Sequence, residues 1–301
     1  MPAKSILNKL PSQVLVCDGA MGTELQSRGL PSGSCPEEYN VTHPEVVEEI
    51  LRGYLEAGAD ILTTNSFGAN RPRLKEYGYE SRVKEFCKRS VEIARELSQG
   101  KCYIAGSLGP TGQILEPLGP VLQSEAAEAF QEQADALAKA GADLILIETM
   151  MSIDEAELAV KAAKGISGLV VAATMSFEVG PKGARTLWGV DIPTAVSRLT
   201  AAGADIIGSN CGQGFDDMVR IVQEMRPLTP KPLIAQPNAG LPQWVDGRPV
   251  YSETPTTIRP KVEALLRSGA NIVGGCCGTT AEHIRIIRKI VDTVKGSHLS
   301  Y

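Results

Sequence analysis

Aromatic residues make up only 5% of this 301-residue chain, which has two tryptophans and three histidines. A cage for a small cationic ligand is built from aromatic faces, and here only Trp188 and Trp244 stand out as candidates near strand ends. Acid–base work near neutral pH most often falls to histidine. His43 near a helix start, His283 on the last helix and His298 in the tail "GSHLSY" have no evident partner for it. Long hydrophobic runs are missing: nothing approaches the roughly 18 apolar residues of a membrane span, and the opening "MPAKSILNKLPSQ" lacks the apolar stretch of a secretory leader. Positive charge is not in excess either. A net charge of −5 argues against nucleic acid or an anionic membrane as main partner. Seven cysteines, an odd number at irregular spacing, do not make a secreted disulfide framework. The expectation is a cytoplasmic protein with reduced thiols.

One short device recurs. "AGAD" stands at 57–60, 140–143 and 202–205, and "SGAN" at 268–271, each after an amphipathic stretch and before a short apolar run. Its glycine suits the left-handed position just past a helix end. Eight apolar runs follow one another: 14–17, 61–64, 103–106, 144–147, 169–174, 206–209, 232–236 and 271–275. Helical patterns such as "PEVVEEILRGYLEAG" and "AEHIRIIRKIVDTV" lie between them. Continuous apolar strands alternating with helices suit a sheet covered on both faces. Eight units point to a (β/α)8 TIM barrel in a single domain, 1–301, with a doubly wound sheet as the structural alternative. No linker or low-complexity segment interrupts it, and the tail 296–301 is expected to be disordered.

In such barrels the loops after the strands carry the site. Those positions hold Asp18-Gly19, Asn65, Gly109-Pro110, Glu148, Ser176, Asn210-Cys211, Pro237-Asn238 and Cys276-Cys277. Neighbouring residues of a strand point to opposite faces, so the adjacent thiols of "VGGCCGTT" can converge only if Gly274, Gly275 and Gly278 bend the backbone. The sixth and eighth strands lie one strand apart, which would bring Cys211 near the pair. Three thiolates suit zinc with one position left open, although none of the strong zinc spacings is present. A strained vicinal disulfide and a functionless pair are the alternatives. Cys17, Cys87 and Cys102 read as small buried hydrophobes, and Cys35 in a loop has no assigned role.

The segments "DGAMGTELQSRG" (18–29), "TNSFGANRPRL" (64–74), "GPTG" (109–112), "SNCGQG" (209–214), "PNAGLP" (237–242) and "VGGCCGTTAEHI" (273–284) resemble the homocysteine S-methyltransferase family. They are most similar to the homocysteine-binding module of its cobalamin-dependent methionine synthase branch. The resemblance runs through essentially the whole chain. It implies a (β/α)8 barrel with Zn2+ on Cys211, Cys276 and Cys277, and homocysteine as substrate. It also implies Asp18 and Glu148 as receivers of the homocysteine amino group. The amides of Gly19 and Ala20 could take the carboxylate as an anion nest, and Asn238 is a candidate fourth metal ligand before substrate arrives. Thr111 and Asn210 border the pocket without an assigned role. The chemistry is coherent, since a free thiol is only about 3% thiolate at neutral pH and coordination deprotonates it.

For the methyl donor, the scarcity of aromatics and the closeness of "DGAMGTELQ" to methionine synthases favour methylcobalamin carried by a separate corrinoid-binding domain or protein. S-methylmethionine, S-adenosylmethionine and a betaine remain alternatives. Outside the family stand a non-catalytic zinc- and thiol-binding protein and a zinc hydrolase, the latter short of a placed base.

Overall fold

Leu144, Ile145, Leu146 and Ile147 are consecutive, apolar and all buried, as a strand covered on both faces requires. Leu144 and Leu146 pack inward with Ile61, Tyr103, Ala105, Val170, Ala172, Ile206, Ile234 and Ile272. Ile145 and Ile147 pack outward with the apolar faces of helices. That period of two runs through the whole of the computed structural model, which describes residues 4–245 and 248–295; the tail 296–301 lies outside the described residues.

The strands are β1 (Leu15–Val16), β2 (Ile61–Thr63), β3 (Tyr103–Leu108), β4 (Leu144–Met150), β5 (Val170–Met175), β6 (Ile206–Cys211), β7 (Leu233–Pro237) and β8 (Ile272–Val273). They form one eight-stranded sheet in the order β1-β8-β7-β6-β5-β4-β3-β2. All neighbours are parallel. A parallel bridge from Cys17 to Ile61 joins β1 to β2 and closes the ring, so the fold is a (β/α)8 barrel and the doubly wound alternative falls. Ile6 and Leu10, in and just after the Lys4–Lys9 helix, join the inner cluster.

Each strand leads to a helix: α1 (Pro44–Glu56), α2 (Val83–Ser98), α3 (Gln123–Ala140), α4 (Ile153–Ser167), α5 (Ile192–Ala202), α6 (Phe215–Met225), α7 (Arg259–Arg267) and α8 (Ala281–Lys295). In α1 the buried side chains are Val47, Ile50, Leu51 and Tyr54, the i, i+3, i+4, i+7 stripe of a helix lying on a sheet. Two hairpins decorate the C-terminal ends of the strands. Glu178–Gly180 pairs with Gly183–Arg185 after β5, and Pro242–Val245 with Arg248–Tyr251 after β7.

The recurring Ala-Gly-Ala-Asp device is a clamp at the opposite end of the barrel. Gly58, Gly141, Gly203 and Gly269 all take left-handed φ, from 93° to 104°. The acidic or amide residue that follows accepts a hydrogen bond from the preceding strand. Asp60 takes Val16 N–H at 2.8 Å, Asp143 takes Ile104 N–H at 2.8 Å, Asp205 takes Val171 N–H at 2.8 Å and Asn271 takes Leu233 N–H at 2.9 Å. A cation completes each clamp: Arg288 on Asp60, Arg95 on Asp143, Lys164 on Asp205, and Arg226 on Asn271. The barrel is thus four like-built strand pairs, β1–β2 to β7–β8, each tied at the end remote from the site.

Candidate metal and substrate site

Above the apolar layers, inward positions toward the strand ends are polar: Thr63, Ser107, Glu148, Thr174, Asn210 and Gln236. β8 supplies only Gly274 there, and Asp18 follows β1. This polar layer floors the mouth of the barrel on the side where the loops of a TIM barrel carry chemistry.

The adjacent cysteines converge because they lie beyond the end of β8. Gly275 N–H donates to Asp18 O at 3.0 Å and Cys276 N–H to Pro237 O at 2.8 Å. Gly278 then takes φ 80°, and Thr279 folds back on Cys276 O through its N–H at 3.1 Å and its hydroxyl at 2.7 Å. In that turn strand alternation no longer applies, and both thiols face Cys211. Cys211 itself has φ 63° and is followed by Gly212 at 72°, a sharp turn at the end of β6. A non-glycine residue held there is strained and persists only when its surroundings fix it.

The Cys276 and Cys211 sulfurs are 3.5 Å apart, and those of Cys211 and Cys277 3.9 Å. All three sulfurs lie within 4.8 Å of one another, and none is in a disulfide. Tetrahedral thiolates about 2.3 Å from a zinc ion would stand ~3.8 Å apart, close to the 3.5 and 3.9 Å separations from Cys211. Hydrogen bonds from Cys211 and Cys276 pull the Cys277 thiol below its usual value, while Cys276, which donates to its neighbours, is held well above its own. A soft dication at their meeting point would stabilise the thiolate form of all three. Asn238 lies next to Pro237, the strand partner of Cys211. Its amide nitrogen donates to Gly212 O at 2.7 Å, while its buried oxygen has no partner among the described residues.

Glu148 owes its place to an irregularity. The register of β4 against β5 shifts between Ile147 and Met150, and Thr149 takes φ 61°, an outlier for a β-branched residue. Ser107 Oγ donates to Glu148 at 2.5 Å and Asn210 Nδ2 at 3.3 Å. Asn210 Nδ2 also lies 3.9 Å from Cys276 Sγ, so one amide bridges the carboxylate and the sulfurs. Asp18 accepts from Thr63 N–H at 2.6 Å and Thr63 Oγ1 at 2.7 Å. Burial is the main cause that pushes Glu148 up to about 7 and Asp18 up to about 6. Asp18 adds to the effect on Glu148 through like charge, and a cation placed between the two would reverse it.

Other expectations fare differently. The Ala20 N–H is engaged by Thr279 Oγ1 at 3.2 Å, and Tyr54 OH donates to Ala20 O at 2.6 Å. Of the two expected nest amides, the Gly19 N–H has no such bond among the described residues. Asn65 turns away to Pro36 O and Asn40, and Thr111 donates to Glu155; both tie loops together. Cys17, Cys87 and Cys102 are buried, as is Cys35. His283 is bonded to Thr280 and to Glu253 O, and His43 stacks on Tyr39. Trp188 and Trp244, 47% and 74% exposed, lie beside and within the two hairpins. Tyr251 does lie near the sulfurs, with its ring against Gly278. Burial and then the thiols of Cys277, Cys211 and Cys276 push its hydroxyl up to about 12. Sequence reasoning passed over Tyr251 because nothing before the hairpin is formed marks it. A surface groove of about 1010 Å³ between the Arg71–Lys75 helix and α3 contains none of these residues.

A profile of the homocysteine S-methyltransferase family matches residues 15–291. The chain belongs to the homocysteine S-methyltransferase family. Among family relatives, the methionine synthase of Mycobacterium tuberculosis is 33% identical over 308 residues, covering 96% of this chain and 26% of that protein. The methionine synthase of Mycobacterium leprae is 33% identical, covering 95% and 25%. The chain thus spans about a quarter of the length of these curated relatives. The metallated form of the homocysteine methyltransferase MmuM of Escherichia coli has the same fold, with a TM-score of 0.79 at 24% identity, over 96% of this chain and 99% of that one.

Proposed function

We propose that this chain binds homocysteine and presents its sulfur for methylation to methionine. In this reading zinc sits on Cys211, Cys276 and Cys277, and the donor is a methylcorrinoid such as methylcobalamin, carried by another domain or protein. The observation that carries it is the convergence of the three sulfurs, 3.5 and 3.9 Å apart, joined through Asn210 to a buried carboxylate. Zinc on three thiolates offers an open position where a fourth thiol is deprotonated at neutral pH.

The remaining work belongs to the chain's own groups. Asp18 and Glu148 take the homocysteine ammonium, whose charge draws both carboxyls to the ionised state. The Gly19 amide meets the carboxylate. Asn238 Oδ1, buried without a hydrogen-bond partner among the described residues, would be the group to complete the metal's ligand set in the absence of substrate. Tyr251 covers one flank of the cysteine turn, and the apolar barrel layers below exclude water, strengthening each charge interaction in the mouth.

Two observations support a bulky donor delivered from outside. The relatives at 33% identity are methionine synthases. The loops after β3, β5 and β7 expose Leu118, Leu187, Trp188, Leu241 and Trp244, an apolar rim of the kind that meets another protein surface. Thiols that must stay reduced suit a cytoplasmic setting. The test is methionine formation by the purified, zinc-loaded chain with homocysteine and each donor in turn. Methylcobalamin should be used. Fast turnover with S-methylmethionine and none with methylcobalamin would overturn the donor and leave the thiolate chemistry standing. Zinc and homocysteine binding without turnover on any donor would favour a thiol-binding protein.

A further inference from the structure

Gln236 is the inward residue near the end of β7 and lies in register with Asn210 of β6. On its other side β8 offers Gly274, whose N–H bonds to Ala235 O at 3.1 Å. A Cβ on Gly274 would meet Asp18 O at 2.7 Å and Cys17 Cβ at 2.8 Å. The bare glycine therefore opens a lane through which Gln236 reaches β1, and its Nε2 donates to Cys17 Sγ at 3.5 Å. Cys17 S–H donates in turn to Asp18 Oδ1 at 3.4 Å. This anchoring fixes which end of the carboxamide faces the sulfur of Cys17. Among the described residues the other end, Oε1, has no partner, although Gln236 is only 4% exposed. An unpaired buried acceptor is unfavourable, and in the polar floor of a substrate mouth a ligand donor completes it.

We infer that Gln236 is a substrate-binding residue whose Oε1 accepts one N–H of the homocysteine ammonium, beside Asp18 and Glu148. The inference rests on the homocysteine reading above and deepens it. A primary ammonium has three N–H donors, and the two carboxylates account for two. A neutral amide supplies the third acceptor without a third negative charge in a mouth that already holds two buried carboxyls. It also makes the site select for a primary amine: a thiol acid without the amino group leaves Oε1 unpaired and gains nothing from it.

The experiment compares binding of homocysteine and of 4-mercaptobutanoate, the same thiol acid lacking the amino group. Titration calorimetry would be run on zinc-loaded native chain, Gln236→Met and Gln236→Glu, with zinc content measured on each. Gln236→Met should keep full zinc and native affinity for 4-mercaptobutanoate while losing at least tenfold for homocysteine. Gln236→Glu keeps an acceptor of the same reach and should retain the preference for homocysteine, which keeps the question decidable if the methionine variant does not fold. Native homocysteine affinity in Gln236→Met, equal weakening of both thiols, or loss of the preference in Gln236→Glu overturns the inference and leaves the function intact. A native zinc-loaded chain that binds neither thiol overturns the homocysteine reading and this inference with it.

Discussion

Asn210 holds Thr149 at both backbone and side chain: its Oδ1 accepts the Thr149 N–H at 2.7 Å, and its Nδ2 donates to Thr149 Oγ1 at 2.7 Å. Thr174 Oγ1 donates to the same Oδ1 at 2.7 Å. A left-handed conformation costs an L-residue roughly 1–2 kcal/mol, and this grip is what maintains it at Thr149. The kink it preserves aims Glu148 into the mouth. Asn210→Ala should therefore lower stability by about 1–3 kcal/mol and weaken homocysteine binding more than zinc binding. Urea unfolding together with calorimetry on the zinc-loaded variant checks both. An unchanged homocysteine affinity would remove Asn210 from the positioning of Glu148.

The four clamps make a stability prediction far from the site. Asp143→Ala strips a buried carboxylate from Arg95 and from the Ile104 N–H, and loss of one partner of such a pair costs about 3–5 kcal/mol. Asp143→Asn should cost much less, because Asn271 already fills this position in the fourth strand pair. Equal destabilisation by alanine and asparagine would show that the charge, not the strand hydrogen bond, is what matters.

The buried carboxyls set a pH dependence of definite sign. Glu148 near 7 and Asp18 near 6 retain protons in the folded chain that the unfolded chain releases near its ordinary values of 4.5 and 3.8. Folding thus takes up protons in this window, and the stability of the ligand-free chain falls as pH rises from about 4 through 7. For Glu148 the whole change is on the order of 3 kcal/mol. Glu148→Gln should flatten the curve of urea midpoint against pH. Homocysteine affinity should run the other way and improve as the carboxyls ionise.

Metal content separates the thiol roles. The native chain should bind about one zinc, and alanine at Cys211, Cys276 or Cys277 should abolish tight binding. Alanine at Cys87 or Cys102 should leave metal content unchanged, since both are buried and neither belongs to the cluster of sulfurs. Full zinc in a Cys277→Ala protein would remove it from the ligand set.

Much of this architecture is legible in the chain itself. Short apolar runs, helix patterns between them and the repeated glycine stop give eight units, because burial on both faces and helix termination are local demands. The clamp role of Asp60, Asp143, Asp205 and Asn271 was hidden, because it depends on cations from helices distant in sequence. The meeting of Cys211 with Cys276 and Cys277 could be anticipated from strand order alone. Gln236, Thr149 and Tyr251 could not. Gln236 matters through the empty lane at Gly274, Thr149 through a register shift, and Tyr251 through a hairpin that folds over Gly278. Each is a property of three-dimensional neighbours that no spacing encodes. The Ala20 amide illustrates the converse: its place in a glycine-rich turn suggested an anion nest, and a threonine 259 residues away occupies it.

In the proposed function, homocysteine sulfur joins the three cysteine sulfurs on one zinc ion. X-ray absorption at the zinc edge, on the zinc-loaded chain before and after homocysteine, measures this directly. Three sulfurs and one oxygen are expected around zinc in the resting protein, and four sulfurs at about 2.3 Å with homocysteine bound. A sulfur count that stays at three after saturation, or that starts below three, would contradict it.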